Sequence, residues 1–227
     1  MSEKQNIITI DGPAGVGKST VSRMVAAATG FTYLDTGAMY RGVGLFLQEH
    51  KVDLTDVASI EKLLSQLDLQ LLPAEGKTSD VGVLINNRDV SMEIRTPEMA
   101  MVASNVSALA VVRDYLTSMQ RSYGDRGQIV AEGRDTGTVV FPAAAFKFFL
   151  DAKPEERARR RYSQLKVNGM EADYDKNLAM TLQRDKNDSE REIAPLVQAE
   201  DANRIDTTEI RVDEVVSLIL QKVKKEM

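Results

Sequence analysis

The sequence predicts an α/β fold, a parallel sheet with helices crossing between its strands and an inserted segment of short antiparallel strands. Three observations carry this. The apolar run Ile7–Ile10 precedes a glycine-rich turn and a helix, and strand–helix alternation recurs at 31–48 and again from 128 onward. The turn itself, Gly12-Pro13-Ala14-Gly15-Val16-Gly17-Lys18-Ser19-Thr20, fits the phosphate-binding loop pattern G-x-x-x-x-G-K-[ST]. Between about 65 and 105 the rhythm changes to short alternating runs.

Bulk properties narrow the class. The chain has 227 residues, enough for one large α/β domain or a core with a small insert. Its hydrophobic content of 43% and charged content of 28% are those of a globular protein. A net charge of −5 argues against a general nucleic-acid or membrane-surface binder. Without cysteine there are no disulfides, thiolate metal sites or cysteine nucleophiles. His50 is the only histidine and is expected at the surface, since no second ligand is there to build a zinc site. Met1–Asn6 is polar and the apolar run after it is short, so no leader is expected; no run has the length of a membrane span. A cytoplasmic enzyme is the default expectation.

Each element follows from its pattern. Ile7–Ile10 reads as a buried strand and Val21–Ala28 as the helix after the loop, with Gly30 as its stop. Phe31–Leu34 is a second strand, and Ala38–Gln48 a helix. Asp56–Leu67 places Ile60, Leu63, Leu64 and Leu67 at helical spacing. Asp68–Leu72 and Val81–Ile85 are short strands; Asn86-Asn87 supplies a turn, and Asp89-Val90 begins a third. Thr96-Pro97-Glu98 opens helical patterning that runs, with breaks, to Tyr123. Strands at Gln128–Ala131 and Lys147–Leu150 resume the core rhythm. Helices at Lys153–Lys166 and Asp175–Lys186, a strand at Asn203–Asp206 and a helix at Val212–Lys225 complete the chain.

Ligands of open α/β sheets bind beyond the carboxyl ends of the strands. Those positions carry the loop, Asp35-Thr36-Gly37 with Tyr40-Arg41, Glu132-Gly133-Arg134-Asp135, and Asp151. In the loop, Lys18 would reach β- and γ-phosphates and Ser19 would ligate Mg²⁺. Strand-end acids such as Asp35 and Glu132 suit Mg²⁺, which takes oxygen ligands. Arginine suits phosphate through its planar fork. Arg157, Arg160 and Arg161 share a helix face; behind a phosphate loop they are expected to neutralise charge on a transferring phosphoryl group. Arg184 and Asp188 lie one turn apart, so an ordinary ion pair is the plainer reading there.

Together these blocks resemble the bacterial cytidylate kinases. The resemblance rests on Gly12-Pro13 with Gly17-Lys18-Ser19, Asp35-Thr36-Gly37-Ala38-Met39-Tyr40-Arg41, Glu132-Gly133-Arg134-Asp135 with Gly137-Thr138-Val-Val-Phe-Pro142, and Glu156-Arg157-Ala158 with Arg160-Arg161. It spans nearly the whole chain, and the block ending at Pro142 is its most specific part. It implies a P-loop kinase that uses ATP and Mg²⁺ to phosphorylate CMP and dCMP. By motif position it implies that Ser104, Arg113 and Asp135 read cytosine. Arg41 and Arg134 would hold the CMP phosphate with Thr36 and Arg191, and Arg184 and Asp188 would meet the ribose. It also implies a core of 1–64, 106–152 and 171–227, a CMP-binding insert at 65–105 and a lid at 153–170, acting as a monomer on small molecules without nucleic-acid or membrane partners. Two other readings stay open: a P-loop kinase of another nucleotide or metabolite, and a nucleotide-driven switch. The switch would be expected to carry an Asn-Lys-x-Asp motif, which Asn187-Asp188 does not match.

Overall fold

A computed structural model describes residues 5–74, 80–167, 169 and 171–226. The remaining positions of the expected core, insert and lid, including 75–79, 168 and 170, lie outside the described residues. Five parallel strands form the main sheet: β1 (Gln5–Asp11), β2 (Thr32–Asp35), β6 (Ile129–Gly133), β7 (Ala144–Asp151) and β8 (Asn203–Asp206), in spatial order β2-β6-β1-β7-β8. A small antiparallel sheet joins β3 (Leu69–Leu72), β4 (Gly82–Ile85) and β5 (Arg88–Asp89).

Both faces of the main sheet are covered, which is why β1 reads as a continuous apolar run. Ile7 points into one cluster, with Leu34, Met39, Val43 and Leu116. Ile8 and Ile10 point into the other, with Val21, Val25, Phe148 and Ile219. Fully burying each such side chain contributes roughly 1.5–3 kcal/mol. Helices α1 (Lys18–Thr29) and α8 (Val212–Glu226) cover the second face. On the first lie α2 (Thr36–Glu49), α3 (Val57–Leu64) and α5 (Ala110–Gly124).

Among the described residues, the segment expected as the insert packs into the core of the main sheet. Leu69, Val83 and Ile85 belong to the same apolar cluster as Leu34 and Val43. Thr96 caps α4 (Pro97–Val106) by accepting from the Met99 N–H at 3.2 Å, with Pro97 in the first turn as expected. Helices α6 (Pro154–Val167) and α7 (Tyr174–Glu190) pack on each other beside the phosphate loop.

Some boundaries move for local reasons. The helix expected to reach Leu67 stops at Leu64, because the Gln66 and Leu67 N–H groups bond three residues back and close a turn. The strand expected to end at Ala131 continues through Gly133, since parallel pairing with β1 holds to Asp11 and Gly133. Glu132 therefore lies within β6. After β6 the chain makes one wide turn, Thr136–Val140, in which the Phe141 N–H bonds to the Thr136 carbonyl at 2.7 Å. His50 is exposed and ends α2, its Nδ1 2.8 Å from the Phe46 carbonyl.

Candidate active site

The phosphate loop follows the central strand. Gly12 has φ +148°, and a Cβ there would lie 2.0 Å from the Leu150 carbonyl oxygen, so the loop leaves β1 by a path open only to glycine. No side chain caps the start of α1, which leaves its first N–H groups available to an anion. Lys18 folds back and donates to the Pro13 carbonyl at 2.7 Å. Burial, reinforced by nearby Arg134, holds its ammonium well below the ordinary lysine range.

Acids gather where β2 and β6 end side by side. Asp35 and Glu132 are register partners. Asp35 caps α2 by accepting from the Ala38 N–H at 2.8 Å and pairs with Arg41 at 3.2 Å. Glu132 accepts from the Tyr33 hydroxyl, and Ser19 also bonds to it. Burial, then the neighbouring Asp35, pushes Glu132 up from the ordinary carboxylate range. Two carboxylates and the Ser19 hydroxyl make an all-oxygen set, which fits Mg²⁺. No three His, Cys, Asp or Glu side chains among the described residues could hold a metal together, so phosphate oxygens and waters would complete its shell.

Two adjoining cavities open on this corner. The larger, about 850 Å³, is lined by Ala14–Val21 of the loop and α1, by Arg157, Arg160 and Arg161, and by Thr207 and Ile210. The smaller, about 180 Å³, is lined by Thr36, Ser104, Arg134, Asp135, Asp188 and Arg191 among others. Lys18, Ser19, Asp35, Arg41 and Arg184 line both.

Around the smaller cavity the charges form a chain. Arg134 Nε donates to Asp188 Oδ2 at 2.7 Å, and Ser104 Oγ donates to Asp188 Oδ1 at 2.8 Å. Burial alone would raise Asp188, but Arg134 and Arg184 outweigh it and hold it below the usual carboxylate range. Burial, then Arg134, pushes Arg184 down to about 9; its buried Nε lies 4.0 Å from Asp188 Oδ2, the one-turn ion pair expected from the spacing, and among the described residues it makes no hydrogen bond. Asp135 is paired with Arg113 and, at 3.2 Å, with Arg191. Arg113 lies 5.8 Å from the centre of the Tyr40 ring, within cation–π range. Thr36 Oγ1 donates to the Glu132 carbonyl at 2.6 Å.

Arg157, Arg160 and Arg161 of α6 do different things. Arg157 is buried; its Nε donates to Ala152 O at 2.9 Å, its Nη1 to Ala14 O at 3.1 Å, and both terminal nitrogens pair with Asp185. Arg160 is held by Glu156 at 2.9 Å and by Thr207 Oγ1 at 3.2 Å. Among the described residues Arg161 donates to Gln164 at 2.9 Å, and the charges of Glu98 and Arg41 act on it. Arg191, expected beside the acceptor phosphate, lines the smaller cavity with Arg41 and Arg134, donates to Ser107 Oγ at 2.8 Å and pairs with Asp135 at 3.2 Å.

Four participants escaped the reading of the sequence. Asp11 could have been found by the same strand-end rule, but it sits directly before the loop motif. Ser107 lies one helical turn beyond Ser104. Tyr33 and Asp185 carry no local signal.

A family model described as cytidylate kinase matches residues 8–225. A cytidylate kinase of Carboxydothermus hydrogenoformans is 48% identical over 215 residues, covering 94% of this chain and 95% of that one. A cytidylate kinase of Vibrio cholerae is 44% identical over 227 residues and covers 100% of both. Among solved structures, an uncharacterized protein from Eubacterium ventriosum aligns with a TM-score of 0.51 at 14% identity, over 98% of this chain and 99% of that one, and shows the fold alone.

Proposed function

The chain belongs to the cytidylate kinase family, and from that premise we propose how its own residues perform the reaction. The reaction is MgATP-dependent phosphoryl transfer to CMP and dCMP, giving CDP and dCDP. One observation supports the assignment of residues most: the two cavities meet at Lys18, Ser19, Asp35, Arg41 and Arg184, where a donor phosphate in one and an acceptor phosphate in the other would come together.

In this reading ATP lies along Gly12–Thr20, its phosphates on the free N–H groups of α1. Lys18 exchanges the Pro13 carbonyl for phosphate oxygens. Ser19, Asp35 and Glu132 would hold Mg²⁺, which when bound neutralises charge on the phosphate oxygens. Thr36, Arg41 and Arg134 hold the CMP phosphate. Ser104, Arg113 and Asp135 read cytosine, with Arg191 bracing Asp135. Arg184 and Asp188 meet the ribose. An acceptor phosphate oxygen attacks the γ-phosphorus in line, the bond to the bridging oxygen breaks, and ADP leaves. The acceptor supplies its own anionic oxygen, so the protein needs no nucleophile, only positioning and charge neutralisation. Arg160 and Arg161 would approach the transferring group when α6 closes. Arg157 has four of its five N–H donors engaged by Ala152, Ala14 and Asp185, which favours a role as a strut between loop and α7.

The proposed moving parts are the insert at 65–105 and the lid at 153–170, against a core of 1–64, 106–152 and 171–227. We also propose a monomer acting in the cytoplasm, without nucleic-acid or membrane partners. One chain supplies both cavities, the net charge is −5, and no helix among the described residues is long and apolar enough to cross a membrane. The test is ADP release with CMP, dCMP, UMP, AMP and GMP offered in turn. CMP and dCMP should be preferred; equal turnover of a purine monophosphate would overturn the acceptor assignment.

A further inference from the structure

Asp11 is the last residue of β1, and its carboxylate reaches across to the turn that follows β6. Its Oδ1 accepts from the Thr136 N–H at 3.0 Å and the Thr136 hydroxyl at 2.7 Å, and its Oδ2 accepts from the Gly137 N–H at 2.7 Å. The approach is close. A Cβ on Gly137 would lie 2.8 Å from Thr9 Oγ1 and 3.3 Å from Asp11 Oδ2. These N–H groups open the wide turn Thr136–Val140, so Asp11 is its cap.

The residue placed to cap that turn is Asp135, a residue type that ordinarily bonds N–H groups two or three positions on. It makes no such bond. Its two oxygens go instead to buried Arg113 and to Arg191, and Asp135 and Arg191 line the smaller cavity. We propose that Asp11 is a positioning residue for base recognition: by capping the turn from β1, it leaves the Asp135 carboxylate free to face the acceptor nucleotide. The arrangement also ties the strand that ends in the ATP loop to the segment carrying Arg134 and Asp135. Burial pushes the Asp11 carboxyl up, while the Gly137 and Thr136 bonds pull it back. Removing Asp11 would strand buried donors, and Asp135, which precedes the turn and whose charge acts on Asp11, could turn back to satisfy them.

The inference rests on the functional reading above, in which Asp135 reads cytosine. Its test uses Asp11→Asn, Asp135→Ala, the double variant and Thr136→Val, with kcat and KM for CMP, UMP and ATP. Asparagine offers one acceptor oxygen where aspartate offers two, so one backbone donor loses its partner. Asp11→Asn should lower the CMP to UMP ratio in kcat/KM by roughly tenfold, about one buried hydrogen bond's worth of discrimination. The loss should appear in KM for CMP, with KM for ATP within about twofold of wild type. Asp11→Asn on top of Asp135→Ala should remove no further discrimination, because both changes silence the same carboxylate. Thr136→Val deletes the hydroxyl bond alone and should shift the ratio the same way by less. It serves as the decisive variant if Asp11→Asn does not fold. An unchanged ratio in the folded variants, or full additivity in the double, overturns the proposal. A wild-type enzyme with no preference for CMP would instead overturn the reading on which it rests.

Discussion

Arg134 Nε donates to Asp188 Oδ2 at 2.7 Å, joining the end of β6 to α7. The same carboxylate takes the Ser104 hydroxyl from α4. Three segments distant in sequence thus share one buried acid, between the proposed phosphate and ribose positions. Asp188→Ala leaves Arg134 buried and unpaired, a change that costs about 3–5 kcal/mol. The variant should raise KM for CMP by on the order of 10² at about 1.4 kcal/mol per tenfold, with part of the loss appearing as stability. Steady-state kinetics and a melting curve separate the two. An unchanged KM would remove Asp188 from the acceptor site.

Lys18→Ala should abolish transfer and leave the fold intact. The wild-type lysine also predicts a pH dependence. Its ammonium is held below the ordinary value of 10.5 in the free protein, chiefly by burial. Bound phosphate favours the charged form, so nucleotide binding takes up a proton and weakens as pH rises through the lowered free-state pKa. For folding, the native state binds fewer protons than the unfolded chain between that value and 10.5, so this group favours the fold more as pH rises through the window. Calorimetry of ATP binding in buffers of different ionisation enthalpy should show proton uptake on the alkaline side. Proton release there would contradict the account.

The α6 arginines should separate by role. Arg161→Ala should lower kcat more than it raises KM for CMP; arginines that stabilise the transferring group contribute about 10³–10⁵ in rate in related chemistry. Arg160→Ala should act in the same direction. Arg157→Ala should chiefly lower the melting temperature, because it orphans Asp185 and the Ala14 carbonyl. If Arg161→Ala and Arg160→Ala both keep their rates, α6 has only a solvated arginine face.

Transfer to a nucleotide requires water to be kept from the phosphoryl group, and domain closure does this. Adding CMP with a non-hydrolysable ATP analogue should compact the protein in solution scattering. The apolar cluster that joins Leu69, Val83 and Ile85 to Val43 limits how the insert can move: it should pivot without exposing that seam. No change in radius of gyration would count against closure.

Much of this was legible in the sequence because the signals are local. Asn203–Asp206 is recovered to the residue, and the phosphate loop is contiguous and flanked by its strand and helix. Thr96 and Pro97 announce α4 for the same reason. What was not legible depends on distant partners. Nothing near Arg157 tells that it turns inward to Asp185, 28 residues on. Nothing near Thr136 tells that its cap comes from Asp11, 125 residues away. The alternating pattern of β3 and β4 gives two faces but not the α2 surface against which one of them packs.

The central claim is that Asp135, with Arg113 and Ser104, selects cytosine. Uracil presents a carbonyl where cytosine presents its amine, and a donor at N3 where cytosine accepts. A buried charged group left unpaired costs roughly 2–5 kcal/mol, so UMP should fall behind CMP by on the order of 10² or more in kcat/KM. The decisive measurement is kcat/KM for CMP and UMP in wild type and in Asp135→Ala. The account predicts that the variant loses most of its preference for CMP yet keeps some turnover through Lys18, Arg41 and α6. A CMP to UMP ratio unchanged by the substitution would contradict it.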